Sequence, residues 1–322
     1  MDRLIAFFGQ KRAVTVLGTL CVLSIALILW LFLGYIPAVK RNAILEIRNK
    51  YPLLDAARNF IPQKDFIVNL QLLREDLRNM VRWEHPREVS LYFEFLNTGA
   101  NIAINQDLAV WPASFPKVPM AMAVMKKVEE GVWSFDQEFE LLERDKDSNY
   151  GTLFNSPPGT RFTVRELLRA MLVQSDNTAY WIFLRNMSTE ELDRVTKELG
   201  LEDLFTPEGL VSSKEYSRLF RSIYTSSYLK RDYSTEILEL LSESDFDDFL
   251  ASGFPPEVPF AHKFGIDRIK NAYLDSGIVY VENRPYLLTV AVQGNGEPGE
   301  EERVDAFMKA VAERTYGYIS SQ

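Results

Sequence analysis

Ser114-Phe115-Pro116-Lys117, Ser175-Asp176-Asn177 and Lys263-Phe264-Gly265, in this order, decide the fold and point to its chemistry. A serine three residues before a lysine shares one face of a helical turn with it. A lysine amine can take the serine proton when burial or a second cation disfavours its own charge. The sequence therefore predicts an acyl-transfer site with Ser114 as nucleophile, Lys117 as base, Ser175 as proton relay and Lys263 as second cation.

Composition excludes several other classes of function. The chain has 322 residues and a formal net charge of -9, without a long basic block, so nucleic-acid binding is disfavoured. Cys21 is the single cysteine, which excludes a disulfide framework and a cysteine-based metal site. His85 and His262 are far apart in sequence, and neither lies in a nucleophile-elbow context. We expect no metal and no organic cofactor.

The N-terminal part predicts a membrane anchor. No residue from Ala13 to Val39 is charged, and about 20 apolar residues span a bilayer core. Because basic residues flank the run on both sides, the positive-inside rule gives only a weak preference for an N-terminus in the cytoplasm. The expected protein is single-pass in the cytoplasmic membrane, with an extracytoplasmic catalytic domain. Its predicted parts are a cytoplasmic tail, an uncleaved transmembrane signal anchor, a stalk and the catalytic domain, at 1–12, 13–39, 40–66 and 67–322.

The periodicity of the rest predicts an α/β fold of the α+β type. Strand patterns occur early and late in the sequence, with helical patterns between them. The simplest arrangement brings both groups of strands into one antiparallel sheet flanked by helices, with an all-helical subdomain beside it. The predicted strands are Glu88 to Leu96, Asn101 to Ile104, Phe260 to Phe264, Ala272 to Val281 and Tyr286 to Val292. The main predicted helices are Asn69 to Trp83, Ser114 to Gly131, Thr163 to Val173, Ser188 to Gly200, much of 212–250, and Glu301 to Tyr316. Thr163 with Glu166, and Ser188 with Glu191, predict capping boxes at two helix starts. Ser175-Asp176-Asn177 should interrupt the helix that begins at Thr163, with another helix from Thr178, and Pro52 and Pro62 should break the helical stalk.

Two other motifs are interpreted as coincidental. Ser-x-x-Lys occurs by chance about once per few hundred positions, and a second copy spans Ser227 to Lys230. Gly294 to Gly299 fits the pattern G-x-G-x-x-G, but the acidic residues around it would face a bound pyrophosphate. We interpret this stretch as an ordinary strand-to-helix loop whose carboxylates favour the N-terminus of the last helix.

The order and spacing of the three elements resemble the penicillin-recognising serine enzymes, and among them class A β-lactamases. Ser114 and Ser175 lie 61 residues apart (175 − 114), similar to the family's spacing, and Pro158 to Thr163 resembles its approach to the second motif. The resemblance covers roughly residues 66–320. It implies a β-lactamase/transpeptidase-like fold and an acyl-enzyme formed on Ser114 with cell-wall peptides or β-lactams. Ser227 follows Ser-Asp-Asn, where the family has no nucleophile.

The resemblance also implies roles for individual residues. The backbone N–H groups of Ser114 and Ile266 would form the oxyanion hole, and Asp176 would bond backbone in its loop. Asn177 would hydrogen-bond the substrate amide and Lys117, while Gly265 would belong to the cleft wall. The implied catalytic residues are Ser114, Lys117, Ser175 and Lys263. The implied substrate-binding residues are Asn177, Gly265, Ile266 and Arg268.

Two departures from the family pattern affect the expected activity. Phe264 stands where the family has Ser or Thr, so the hydroxyl that helps hold a substrate carboxylate is missing, and Arg268 is a candidate replacement anchor. In the loop that holds the deacylating water, Thr206 aligns with the water-activating glutamate and Glu208 follows two residues later. The shortened loop is more similar to a D,D-peptidase. His262 should face away from Lys263 and serve packing.

Three interpretations therefore stay open. The first is an acyl-transfer hydrolase that acylates slowly and keeps a long-lived adduct. The second is a true β-lactamase, which would need Glu208 or another group to activate water. The third is a binding or scaffold domain that retained the fold and lost turnover, for which Phe264 is the main argument.

Overall fold

The structure is a computed structural model that describes residues 2–55, 65, 68–83, 88–202, 204 and 208–322. The chain divides into two compact units, Met1–Pro52 and Leu53–Gln322.

The first unit is helical and apolar. Helix α1 (Asp2–Trp30) continues through a π-helical turn, Leu31–Tyr35, into α2 (Ile36–Lys50). Val16–Val39 has a mean hydropathy of 2.7 and is unburied, so by length and composition this helix could cross a membrane. The helix ends before Pro52, where the sequence predicts a break. The second predicted break, Pro62, lies outside the described residues.

The second unit contains the remaining helices and strands. Its longer helices are α3 (Gln71–Trp83), α4 (Lys117–Glu129), α5 (Val164–Val173), α6 (Asn177–Arg185), α7 (Thr189–Glu198), α8 (Ser213–Tyr224), α9 (Arg231–Ser242) and α10 (Glu300–Ser320). Its strands are β1 (Glu88–Phe95), β2 (Ala100–Ile104), β3 (Ala109–Val110), β4 (Glu138–Glu140), β5 (Arg161–Thr163), β6 (Val211–Ser212), β7 (Phe260–Asp267), β8 (Ala272–Val279) and β9 (Tyr286–Gln293).

One antiparallel sheet unites the early and the late strands, as predicted. Its order is β2-β1-β9-β8-β7, and β1 pairs with β9 so that Phe93 lies opposite Leu288. Strand β7 therefore forms an edge of the sheet, with Lys263 opposite Ser276 of β8. An edge strand turns alternate backbone N–H and C=O groups away from the sheet, which makes them available to a substrate or a neighbouring segment.

The sheet is buried on both faces. Apolar residues of α3 and α10, such as Leu73, Leu77 and Phe307, pack into one core with Phe93 and Leu288. Burial of such side chains contributes on the order of 1.5–3 kcal/mol each. Helices α8 and α9 contact strands of the same sheet, including β9 and β7. This packing fixes β7, which carries the third sequence element.

The helical part is organised around α4. Residues Lys117 to Met125 are all buried, as the continuous apolar run after Pro119 predicts. The predicted capping boxes are present at Thr163 with Glu166 and at Ser188 with Glu191. In each pair, the side chain of each residue accepts a hydrogen bond from the backbone N–H of the other.

Two local features differ from the sequence-based prediction. Helix α4 begins at Lys117 and not near Ser114. Proline lacks a backbone N–H and is tolerated in the first turn of a helix, where that N–H would have no partner, so the helix starts close to Pro119. Two small ladders, β3 with β6 and β4 with β5, were not predicted. Strands of two or three residues are too short to show an alternating pattern.

Candidate active site

A packed turn holds Ser114 just before α4. Ala113 has a φ of 45°, the Phe115 N–H donates to the Pro112 carbonyl at 2.9 Å, and the Lys117 N–H donates to the Ser114 carbonyl at 3.2 Å. Phe115 is buried and stacks on Tyr216 at 3.7 Å between ring centroids, and the Tyr216 hydroxyl donates to the Phe115 carbonyl at 3.0 Å. Left-handed backbone at a residue other than glycine persists where packing enforces it, and it is frequent at functional sites.

A second strained turn holds Ser175 between α5 and α6. Ser175 has a φ of 54°, and Asp176 caps α6 by accepting the Ala179 N–H at 2.8 Å. The other oxygen of Asp176 accepts the Thr152 and Leu153 N–H groups at 2.7 and 2.9 Å. Asp176 thus bonds backbone on two sides and fixes the direction in which Ser175 and Asn177 point.

Strand β7 approaches the Ser114 turn closely at Gly265, where a Cβ would make unusually tight contacts. A Cβ on Gly265 would lie 3.1 Å from both the Ala113 Cβ and the Ser114 nitrogen. This approach brings the edge of the sheet beside the candidate nucleophile. The oxyanion-hole role of the Ser114 and Ile266 N–H groups stays a prediction, and Ile266 does line the cleft.

The structure brings the side chains of all three sequence elements into one hydrogen-bond network. The Lys117 Nζ lies 2.9 Å from the Ser114 Oγ and 3.0 Å from the Ser175 Oγ, and it donates at 2.6 Å to both the Ser175 carbonyl and the Asn177 Oδ1. The Ser175 Oγ lies 3.2 Å from the Ser114 Oγ and accepts from the Lys263 Nζ at 2.9 Å. An unbroken proton path therefore joins Ser114 to both lysines.

Burial shifts both lysines toward their neutral forms. Lys117 is 3% exposed, and desolvation lowers its pKa to about 7 against the opposing charges of Asp176 and Asp147. Lys263 is 1% exposed, and desolvation, followed by the charge of Lys117, lowers its pKa well below the usual value, while Asp275 opposes the shift. Two amines that share one buried serine cannot both remain charged at low cost.

A neutral Lys117 is well arranged to act as a base. The Ser175 carbonyl and the Asn177 Oδ1 can only accept hydrogen bonds, so they take the two hydrogens of a neutral amine. The remaining lone pair is then left for the hydroxyl of Ser114 at 2.9 Å. The Asn177 Oδ1 faces Lys117. The Asn177 side chain also helps to lower the pKa of the nearby Asp147 carboxyl.

Phe264 fills the position of the missing hydroxyl with a buried ring. It is 4% exposed, stacks on Phe246 at 3.6 Å between centroids and meets the edge of Tyr150 at 5.9 Å. The Lys263 Nζ lies 4.1 Å from the Phe264 ring centroid and donates to the Phe264 carbonyl at 3.1 Å. The ring face offsets a part of the desolvation of this ammonium.

Arg268 lies at the cleft with its guanidinium engaged. Its Nε and Nη2 donate to the two carboxylate oxygens of Glu301 at 2.7 and 2.6 Å, and Tyr150 also hydrogen-bonds to it. Because this bidentate pair compensates its charge, Arg268 can anchor a substrate carboxylate only in competition with Glu301. The anchor role stays a prediction.

His262 is buried with a polar partner that the sequence did not indicate. It stacks on Phe260 at 4.3 Å between ring centroids, and its Nδ1 lies 2.9 Å from the Asp275 Oδ1. Cross-strand pairing causes this contact, since Asp275 lies on β8. His85 lies outside the described residues. Within the described ranges, no group of three or more His, Cys, Asp or Glu side chains could hold a metal ion.

The cleft beside Ser114 has a volume of about 390 Å³. It is lined by Trp111, Ala113, Ser114, Asn149, Tyr150, Asn177, Ile266, Asp267, Arg268 and Ile269. Sequence reasoning missed the contributions of Trp111, Asn149 and Tyr150. The last two belong to an irregular stretch, 132–162, in which no periodicity marks the residues that face a cleft.

The two motifs interpreted as coincidental have other partners in the structure. The Ser227 Oγ donates to the Ser222 carbonyl at 3.4 Å, and the Lys230 Nζ lies 3.8 Å from a Glu129 carboxylate oxygen. In the glycine-containing loop, the buried Glu300 carboxylate accepts the N–H groups of Asn295 and Gly296, both at 2.9 Å. A carboxylate thus occupies the place that a phosphate would need.

The sequence profile of the Beta-lactamase enzyme family matches residues 72–319, which include the whole network. The chain belongs to this family. A curated relative, β-lactamase VEB-1 of Pseudomonas aeruginosa, is 23% identical over 250 residues, which are 69% of this chain and 82% of VEB-1.

Solved structures show the same fold. PBP-A is 23% identical with a TM-score of 0.70, covering 79% of this chain and 97% of PBP-A. A mutant of PBP-A has been solved as an acyl-enzyme complex with penicillin G. A β-lactamase from Chitinophaga pinensis is 21% identical with a TM-score of 0.66, covering 78% of this chain and 99% of its own.

Proposed function

We propose that this chain is a serine acyl-transfer hydrolase that attacks the amide carbonyl of cell-wall peptides or β-lactams through Ser114. The observation that carries the proposal is the buried Lys117 amine, whose pKa is lowered to about 7 and which lies 2.9 Å from the Ser114 Oγ. A base with a pKa near the operating pH is the most effective one. Family membership and the acyl-enzyme of PBP-A with penicillin G support this reading.

In the acylation step, neutral Lys117 takes the Ser114 proton as the Oγ forms a bond to the carbonyl carbon. The resulting oxyanion is bound by the N–H groups of Ser114 and Ile266. The Ser175 Oγ gives its proton to the leaving nitrogen as the carbon–nitrogen bond breaks, and it receives from Lys117, at 3.0 Å, the proton that Lys117 took from Ser114. Lys117 returns to its neutral form, and the acyl group stays on Ser114.

Deacylation is the step for which this chain is poorly equipped. Among the described residues, the hydrogen-bond partners of the Ser114 and Lys117 side chains are serines and an asparagine, without a carboxylate placed to activate water. Thr206, which aligns with the family's glutamate, lies outside the described residues, and the neighbouring Glu208 is exposed. Loss of one positioned general base typically slows a step by about 10²–10⁴-fold. We therefore propose a long-lived acyl-enzyme.

We further propose that the catalytic domain is anchored to the cytoplasmic membrane by its N-terminal helix and lies outside the cytoplasm. The uncharged segment Val16–Val39 and the basic residues on both sides of it support the anchor. Cell-wall substrates would be accessible at that location.

A time course with penicillin G tests the proposed reaction on the full-length protein in detergent. Intact-mass spectrometry and stopped-flow absorbance should show slow acylation and an adduct that outlasts many acylation half-times. Rapid multiple turnover without a detectable adduct would favour a true β-lactamase. Absence of any adduct, with penicillin G and with an activated acyl ester alike, would favour the scaffold interpretation.

A further inference from the structure

We propose that the leaving-group side of the cleft selects substrates whose leaving group carries no negative charge, such as an amide or an ester, over those that end in a carboxylate. This inference rests on the proposed acyl transfer by Ser114. Because the Ser175 Oγ protonates the leaving atom, the leaving group must lie on the side of Ser175, Lys263 and the residues that follow Lys263.

The first observation is the chemistry of Phe264. Its ring is held between Phe246 and Tyr150, so the position offers no hydroxyl to a carboxylate and cannot rotate away without breaking a buried stack. A hydrogen bond to a charged group contributes about 1.5–3 kcal/mol. A leaving group with a carboxylate therefore receives no stabilising hydrogen bond at this position, whereas an uncharged leaving group does not need one.

The second observation is that Lys263 is not presented to the cleft. Its Nζ is buried and already donates to the Ser175 Oγ and the Phe264 carbonyl. The same atom faces the Phe264 ring at 4.1 Å from the centroid. Burial also lowers the pKa of Lys263 well below its usual value, which weakens its attraction for an anion.

The third observation is that charge at the cleft is balanced or negative. Arg268 is held in a bidentate pair by Glu301. Asp267 also lines the cleft, and its Oδ1 accepts the N–H groups of Ile269 and Lys270, both at 3.0 Å. Lys270 is exposed on the adjacent turn, with its Nζ 5.4 Å from the Trp111 ring centroid, so solvent screens its charge. An incoming carboxylate thus meets two carboxylates and one compensated guanidinium.

The fourth observation is that the rest of the cleft lining carries no charge. Trp111, Tyr150 and Ile266 line the cleft together with the amides of Asn149 and Asn177. Ile269 is 91% exposed at its rim. Such a surface favours an uncharged organic group, because burying an unpaired carboxylate against it costs free energy. Together these features predict that the cleft selects against a negatively charged leaving group, and does not merely bind all leaving groups weakly.

Two matched thioesters test the proposal on the full-length protein in detergent. Both carry a phenylacetylglycyl group; one releases thioglycolate, which bears a carboxylate, and the other releases thioglycolamide, which does not. Thiol release measures kcat/KM for each, with Ser114→Ala as the blank. Because the two thiols differ in acidity, each value is divided by the rate at which hydroxylamine, a neutral nucleophile, cleaves the same ester in solution. After this division the wild type should favour the thioglycolamide ester by about tenfold or more, as expected for one missing charged hydrogen bond.

Variants connect this preference to the named residues. Glu301→Gln, which leaves the Arg268 charge uncompensated, should raise kcat/KM for the thioglycolate ester several-fold. Glu302→Gln makes the same charge change at the next, exposed residue and should leave the ratio unchanged. Arg268→Ala combined with Glu301→Gln should remove the gain. Phe264→Thr, where it folds, should shift the ratio in the same direction as Glu301→Gln.

The outcomes separate this inference from the proposed function. Ser114-dependent release that, after the same division, is equal for both esters, or faster for the thioglycolate ester, overturns the charge selection and leaves acyl transfer intact. A preference that neither Glu301→Gln nor Phe264→Thr reduces also overturns it. Absence of Ser114-dependent release with both esters overturns the proposed function and this inference together.

Discussion

The burial of two lysines around one serine explains why the pKa of Lys117, ordinarily near 10.5, falls to about 7. Lys117 loses water to the packing around α4, and Lys263 is enclosed between β7 and the Ser175 turn. The charge of Lys117 adds to the shift of Lys263, so the repulsion between the two lysines lowers the pKa of Lys263 and not that of Lys117. Asp176 and Asp147 oppose the shift of Lys117, and Asp275 opposes that of Lys263. The free energy for this arrangement comes from the packed core and not from the site.

The lowered pKa of Lys117 makes the rate of acylation depend on pH. Lys117 can act as a base only when its amine is neutral. Because its pKa is about 7, the neutral form predominates above that pH. We therefore expect kcat/KM for a neutral thioester to rise about tenfold per unit below pH 7 and to level off above it.

Rates at pH 5.5 to 9.0, corrected with Ser114→Ala, provide the measurement. A rate that is constant across this range, or that falls as pH rises through 7, would contradict the role of Lys117.

Strand β7 positions the cleft by contact with the Ser114 turn, and Gly265 is the point of contact. Gly265→Ala places a Cβ 3.1 Å from the Ser114 nitrogen and from the Ala113 Cβ, so β7 or the turn must give by a few tenths of an ångström. Misplacement of reacting groups by about 1 Å can cost on the order of 10²-fold in rate, so a smaller shift costs less. We expect acylation of a neutral thioester to fall several-fold, while the thermal midpoint changes by only a few degrees.

Gly317→Ala is the matched control for this substitution. Gly317 lies in α10 with no atom within 4 Å of a Cβ, so alanine should leave acylation unchanged and stabilise the helix by about 0.5–1 kcal/mol. Wild-type acylation by Gly265→Ala would show that the close approach of β7 does not position the nucleophile.

Elements that local chemistry determines could be predicted from the sequence. The capping boxes at Thr163 and Ser188, and the break between α5 and α6 at Ser175, follow from residues within a few positions of each other. The ordered motifs indicated the sheet and the catalytic network together, because the family resemblance connected distant segments.

Contacts between distant residues were not predictable in this way. Arg268 and Glu301 are 33 positions apart, and the pair forms because the end of β7 lies beside the start of α10. The stack of Phe246 on Phe264 and the pair of His262 with Asp275 likewise depend on how a loop and a neighbouring strand pack. The cleft walls at Asn149 and Tyr150 carry no periodic signal at all.

At the scale of the whole chain, the apolar N-terminal helix predicts a protein whose catalytic domain is exported. An alkaline phosphatase reporter fused after residue 60 should be active, because alkaline phosphatase works only outside the cytoplasm. A reporter that works only in the cytoplasm, fused at the same residue, should be silent. The reverse pair of results would overturn the topology.

The network of Ser114, Lys117, Ser175 and Lys263 should form an acyl-enzyme on Ser114. The most direct measurement is peptide mapping of the full-length protein after reaction with a neutral activated acyl probe, for the wild type, Ser114→Ala and Ser227→Ala. We expect one acyl group on Ser114 in the wild type and in Ser227→Ala, and none in Ser114→Ala. An adduct on another residue, or one that persists in Ser114→Ala, would contradict this expectation.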